Sequence, residues 1–205
     1  MFVLLFNAGS SSLKAALMNA ADRSVVASGT ADWAGAETRY RFHAGPQLKY
    51  DETVSWRGQA QAVPKFLADL RQYRDRATGE VAAVGHRIVH GGEFTSSVRI
   101  TSLVRDRIQA LEKLAPLHNP PSLEALAAAE AELPDLPHVA VFDTAFHATL
   151  PPKAYTYPLP QRWTQEWGIR RFGFHGLSHA YCAGRAAEML GRPLADLRLV
   201  ICHLG

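Results

Sequence analysis

The chain begins with five consecutive apolar residues, Phe2-Val3-Leu4-Leu5-Phe6, and then breaks into Asn7-Ala8-Gly9-Ser10-Ser11-Ser12-Leu13-Lys14. No other stretch constrains the fold as tightly. A short continuous apolar run reads as a buried strand. Asn-Ala-Gly reads as the turn that ends it, and Ser12 to Met18 as a second strand. Such a turn gathers small side chains, backbone N–H groups, three hydroxyls and one ammonium at a single strand end. Backbone N–H groups form a concavity for anions, and a lysine adds a point charge, so the turn has the chemistry of a phosphate cradle. An ordinary polar hairpin has the same residues, so the turn needs support from elsewhere in the chain.

The remaining pattern is that of an α/β protein. Residues 2–6, 12–18 and 25–32 read as successive strands of a meander, with further pairing expected around Tyr40-Arg41-Phe42-His43. Val63, Phe66, Leu67 and Leu70 recur at helical spacing, giving a helix over roughly 59–74, its regular part starting near Pro64. Val81 to Arg87 is a short strand. Val104, Ile108, Leu111 and Ala115 mark a helix. Another runs from Pro120 through Leu133, with Ser122 as its cap and Glu124 complementing its dipole. Val139-Ala140-Val141-Phe142 is a buried strand. Residues 148–173 lack periodicity and read as a linker. A helix follows from about His175 to Leu190, closed by Gly191 and Pro193, and Arg198 to His203 reads as a last buried strand. A buried-type strand followed by Leu204-Gly205 leads us to expect a chain cut inside a second domain. The expected division is 1–147 and 148–205.

Polar residues gather where these strands end. His86-Arg87-Ile88-Val89-His90-Gly91-Gly92-Glu93 follows one. Asp143-Thr144-Ala145-Phe146-His147 follows another. Phe172-Gly173-Phe174-His175-Gly176-Leu177-Ser178-His179 opens a helix, and His203 closes the last strand. With Asn7 and Lys14 after the first strand these make five clusters, and open α/β sheets bind ligands at the carboxyl ends of their strands, so together they point to a site. Gly91-Gly92 suggests close approach of the backbone to something. Each group also has a plainer role: Arg87 a surface ion pair, Asp143 a cap, His118 in Leu117-His118-Asn119-Pro120 a turn former. His175 and His179 have the i, i+4 spacing of helical zinc sites, without the accompanying glutamate or cysteines. Walker-type, dinucleotide-binding and Gly-x-Ser-x-Gly patterns are absent.

Composition excludes several classes. Seventeen of the 22 basic residues are arginine, scattered along the chain, and the net charge is +3. That is a solvated basic surface, not a nucleic-acid footprint. Two cysteines, Cys182 and Cys202, make no disulfide framework and suit a reducing, cytoplasmic compartment. The opening apolar run is too short for a signal sequence, and no stretch approaches a membrane span.

Taken together, the segments 7–14, 86–93, 116–121, 142–147, 172–179 and 201–205 resemble, in order, the motifs of the acetate kinase (acetokinase) family. The resemblance implies the ribonuclease H-like mixed sheet of the actin, sugar kinase and chaperone ATPase superfamily. It implies transfer of phosphate from ATP to acetate, giving acetyl phosphate and ADP, with Mg²⁺, in a homodimer. By position, Asn7 resembles the magnesium-site residue, and Lys14, with Ser10 and Ser12, the contacts to nucleotide phosphate. Arg87 resembles the arginine that binds the substrate carboxylate; Val89, Leu117 and Phe174 resemble walls of the methyl pocket. Asp143 resembles the catalytic aspartate and His175 the histidine that stabilises the transition state. His203, Leu204 and Gly205 resemble the opening of a phosphate loop. Leu177 stands where the family usually has Thr, and Ser122 where it often has Asn. The rest of the adenosine domain, a second catalytic arginine and a metal-site glutamate have no counterpart. Three readings follow: a kinase forming an acyl phosphate from acetate or propionate, a non-catalytic fragment needing a partner half, or a metal-dependent hydrolase using His86, His90, Asp143 and His175.

Overall fold

The computed structural model describes residues 1–73 and 80–204. Among these residues eight strands are found: β1 (Phe2–Ala8), β2 (Ser12–Asn19), β3 (Val25–Asp32), β4 (Thr38–Ala44), β5 (Gln47–Val54), β6 (Val81–Ile88), β7 (Val98–Arg99) and β8 (His138–Phe142). They form one mixed sheet in the order β5-β4-β3-β2-β1-β6-β8-β7. The first five run as an antiparallel meander, and β6 pairs parallel to β1 on its other side. The helices are α1 (Gln59–Tyr73), α2 (Ser102–Ala110), α3 (Asn119–Glu132), α4 (Pro152–Tyr155), α5 (Gln161–Trp167) and α6 (Gly176–Leu190).

Contacts divide the chain into two compact units. One comprises residues 1–88 and 98–141, the other residues 89–97 and 142–205. In the first unit, strand alternation sends Leu4, Phe6, Leu13, Ala15, Leu17, Tyr40 and Phe42 to one face. Helices α1 and α3 cover that face with Val63, Phe66, Leu67, Ala125 and Ala129. Phe66 is the centre of this packing, edge-on to Phe6 and tilted against Phe42. Gly29 is what admits it: a Cβ there would meet the Phe66 ring at 2.5 Å. Helix α1 is regular from Gln59 and carries Pro64 in its second turn, so the proline does not set its start. The expected end of this helix at residue 74 lies outside the described residues.

Four local expectations are corrected. Ser122 is not a cap, because α3 starts at Asn119; its buried hydroxyl donates to the His118 carbonyl. Glu124 serves another helix: its Oε1 accepts from the Ala60 N–H at the start of α1. Residues 148–173 hold α4 and α5, helices of four and seven residues, too short to show a period. They are held by the Trp163–Trp167 stack and by Arg170 lying 3.9 Å over the Tyr155 ring. Residues 198–203 form no strand, and Val200 is 93% exposed. No ladder partner exists for them among the described residues, and an apolar run without one leaves its backbone groups to water rather than to a strand. The two cysteines are free and exposed.

Beneath the sheet's end lies a stacked histidine pair. His138 Nε2 is 3.1 Å from the Leu133 carbonyl, which only accepts, so Nε2 carries the proton and Nδ1 is bare. His86 Nε2 therefore donates to that Nδ1 over 3.0 Å, leaving His86 Nδ1 buried without a partner. Burial, with the His138 ring beside it, pushes the His86 pKa down to about 3. The unfolded chain thus binds a proton that the folded chain refuses between about pH 6.5 and 3. Stability is expected to fall as pH drops through that window, by up to about 1.4 kcal/mol per pH unit from this group. Urea midpoints of wild type and His86→Gln between pH 7 and 4.5 check this: the variant's midpoint should fall less steeply. Equal slopes would remove His86 as the cause.

Candidate functional site

The first unit builds a polar row on the sheet face away from α1 and α3. Register places Lys14 opposite Asn7 on one side and Thr30 on the other, and Thr30 opposite Arg41. Alternation sends all four to the same face, since their chain neighbours fill the core. On the parallel side, His86 pairs with Phe6, so Arg87 stands level with Asn7. Its Nη1 donates to Asn7 Oδ1 over 2.9 Å. Cationic Lys14 and Arg87 therefore flank the Asn7 amide. At the row's end the turn Gly9–Ser12 closes with the Gly9 N–H donating to the Ser12 carbonyl. Asn7 and Ala8 belong to β1, so the turn starts one residue later than the Asn-Ala-Gly reading placed it.

The second unit gathers the aspartate and the histidines. Asp143 is buried at the end of β8, and its carbonyl accepts from the Gly176 N–H over 3.0 Å. A Cβ on Gly176 would lie 2.1 Å from that oxygen, so only glycine permits the contact. His175 caps α6 in the left-handed region, at φ 56°, and is not part of the helix. Its ring stacks on His203 at 4.1 Å, and His203 Nδ1 lies 3.0 Å from the Ser178 hydroxyl. His147 Nε2 reaches the Phe174 carbonyl at 3.0 Å, over a Gly173 that leaves room for its ring. What Gly91 approaches is Phe142: a Cβ would meet that ring at 2.5 Å. Phe142 also stacks on Phe94, and the Gly91 N–H donates to Thr144 Oγ1, pinning residues 89–97 to the strand end. His90 is buried against Phe172 and Phe174, and burial lowers its pKa. Its Nδ1 accepts from the Gly92 N–H.

Of the residues singled out in the sequence, Asn7, Ser10, Ser12, Lys14, Arg87 and Leu117 lie in the first unit. Val89, Asp143, Phe174, His175, His203 and Leu204 lie in the second. Gly205 is outside the described residues. The structure joins Asn7 to Arg87 and His175 to His203 directly. Leu117 is 69% exposed and Val89 is buried. His147, Thr144 and Gly176 were not singled out as site residues. Only their place inside the Asp-Thr and His-Gly clusters signalled them, since their partners lie 27 to 53 residues away in sequence. Among the described residues no three His, Cys, Asp or Glu side chains converge as a metal cage, and no helix is long and apolar enough to cross a membrane. The hydrolase reading loses its ligand set here, because His86 is bound to His138 and its ring is buried.

The fold is that of the actin, sugar kinase and ATPase-like proteins. A crystal structure of Porphyromonas gingivalis acetate kinase matches with a TM-score of 0.83 at 38% identity, over 94% of this chain and 50% of that one. A propionate kinase from Francisella tularensis matches with a TM-score of 0.81 at 36% identity, over 93% and 49%. An acetate kinase of Deinococcus radiodurans is 48% identical over 210 residues, spanning all of this chain and 51% of its own length. The acetokinase family model matches residues 2–205, and the chain belongs to the acetokinase family. It spans about half the length of the curated relatives it matches.

Proposed function

We propose that this chain carries the acetate-binding side and the first phosphate turn of an ATP-dependent acetate kinase. The observation that carries the reading is the Asn7–Arg87 contact in line with Lys14. It holds a half-buried guanidinium at a strand end, where a carboxylate can be met by a two-pronged pair. Acetate is ionised at neutral pH, so no base is needed to activate it. The chemical problem is the approach of two anions, and Arg87 neutralises one of them. Lys14, with Ser10 and Ser12, meets the nucleotide phosphates. His175 donates to the equatorial oxygens of the transferring group. By their places in the family motifs, Val89, Leu117 and Phe174 are each assigned to the acetate methyl group, and His203, Leu204 and Gly205 to the second phosphate loop.

The donors suit magnesium, a hard cation that keeps several waters and takes few protein oxygens. Asn7 Oδ1 has a second lone pair beyond the one Arg87 uses and would hold the ion, while Asp143 resembles the family's catalytic aspartate by its place in the motif. Bound there, Mg²⁺ would neutralise charge on the phosphate oxygens. We place the protein in the cytoplasm, as a homodimer when full length.

The test is ATP-dependent acetyl phosphate formation, trapped with hydroxylamine. It is run on the 205-residue chain and on a chimera joining it to the second half of the Deinococcus radiodurans relative. The chimera should form acetyl phosphate and the chain alone little. A folded chimera that makes none would sink the reading.

Acetate rather than propionate is favoured by Val89, buried and β-branched. In the chimera, Val89→Ala should raise kcat/KM for propionate relative to acetate, by at most about 1–3 kcal/mol for one methylene. An unmoved ratio would mean that Val89 is no wall.

A further inference from the structure

The carbonyl groups of the Gly9–Ser12 turn are all engaged by the protein behind them. The Gly9 carbonyl accepts from Gln59 Nε2 over 2.9 Å, and the Ser12 carbonyl from the same nitrogen over 3.2 Å. The Ser10 carbonyl accepts from the Trp33 indole N–H over 3.2 Å, and the Ser11 carbonyl from the Trp33 backbone N–H over 2.9 Å. A trans peptide is planar, with its C=O and the following N–H pointing opposite ways. Drawing the Gly9 and Ser10 carbonyls inward therefore turns the Ser10 and Ser11 N–H groups outward. Neither N–H donates to a protein acceptor among the described residues.

Gln59 is buried, and two carbonyl oxygens face one end of its amide, which identifies that end as the NH₂. Its Oε1 is left buried with no partner. A glutamine held at that cost is being held for its donors.

We infer that Trp33 and Gln59 are positioning residues that fix the peptide planes of this turn, so that the Ser10 and Ser11 N–H groups face a phosphate chain. The inference rests on the proposed role of the turn in binding nucleotide phosphate. Neither residue touches the phosphate; both act through the carbonyls.

The test is a titration of the 205-residue chain with inorganic pyrophosphate, followed by the amide NMR signals of Ser10 and Ser11. Wild type should show saturating shifts at these two amides. Trp33→Phe keeps the aromatic packing and loses only the indole N–H. It should weaken the response by about fivefold, the fold-change of one ordinary hydrogen bond. Gln59→Leu, which loses two, should weaken it further. Signals from β1 to β6 should stay in place in Trp33→Phe, which keeps the result independent of whether Gln59→Leu folds. Wild-type affinity in Trp33→Phe would overturn the inference while leaving the turn a phosphate site. No response in wild type would overturn the inference together with the turn's role, and acetyl phosphate formation by the chimera would still test the activity separately.

Discussion

His175→Ala in the chimera should lower kcat by about 10²–10³-fold, the cost of removing one donor aimed at developing charge. The transferring phosphoryl group spreads its charge over three equatorial oxygens, and catalysis of such a transfer is mostly positioning and neutralisation. The His175 imidazole is oriented twice over. Its backbone is held left-handed at the head of α6, where Gly176 docks on the Asp143 carbonyl. Its ring lies nearly parallel to His203, at 11°. An interaction made only in the transition state lowers kcat and kcat/KM together and leaves KM alone. Steady-state kinetics with acetate and ATP varied separately should show that signature. A large rise in acetate KM with kcat kept would make His175 a ground-state contact. Histidine tolerates φ 56° better than alanine does, so His175→Ala also carries a backbone cost. Comparing His175→Asn, whose side chain tolerates that conformation, settles the point: it should lose turnover as well.

Arg87→Ala should raise the acetate KM and spare that for ATP. A hydrogen bond to a charged group contributes about 1.5–3 kcal/mol, so the change should be about 10- to 150-fold. Arg87 stands at the end of β6, its guanidinium steered by Asn7 Oδ1 over 2.9 Å. Lysine keeps the charge and loses the planar fork, so Arg87→Lys should recover only part of the affinity. Equal losses for acetate and ATP would point to a general collapse of the β1–β6 edge. An unchanged acetate KM would remove Arg87 as the anchor.

The sequence by itself determined the elements whose signal is periodic and local. Buried runs marked β1, β6 and β8, and the i, i+3, i+4, i+7 spacing of Val63, Phe66, Leu67 and Leu70 marked α1. It also placed polar groups at strand ends, and the order of those clusters carried the family resemblance. Tertiary structure alone decided which groups meet. Nothing local says that β6 lies beside β1, and that adjacency is what brings Arg87, eighty residues on, to Asn7. Nothing local says that Glu124 serves α1, that Gly91 makes room for Phe142, or that Trp33 and Gln59 take the carbonyls of a turn 23 and 50 residues away. The run at 198–203 shows the same limit from the other side. Its composition suits a strand, but a strand exists only where a neighbour satisfies its backbone. Periodicity is a property of neighbours in the chain, whereas hydrogen-bond partners and close approaches are properties of neighbours in space.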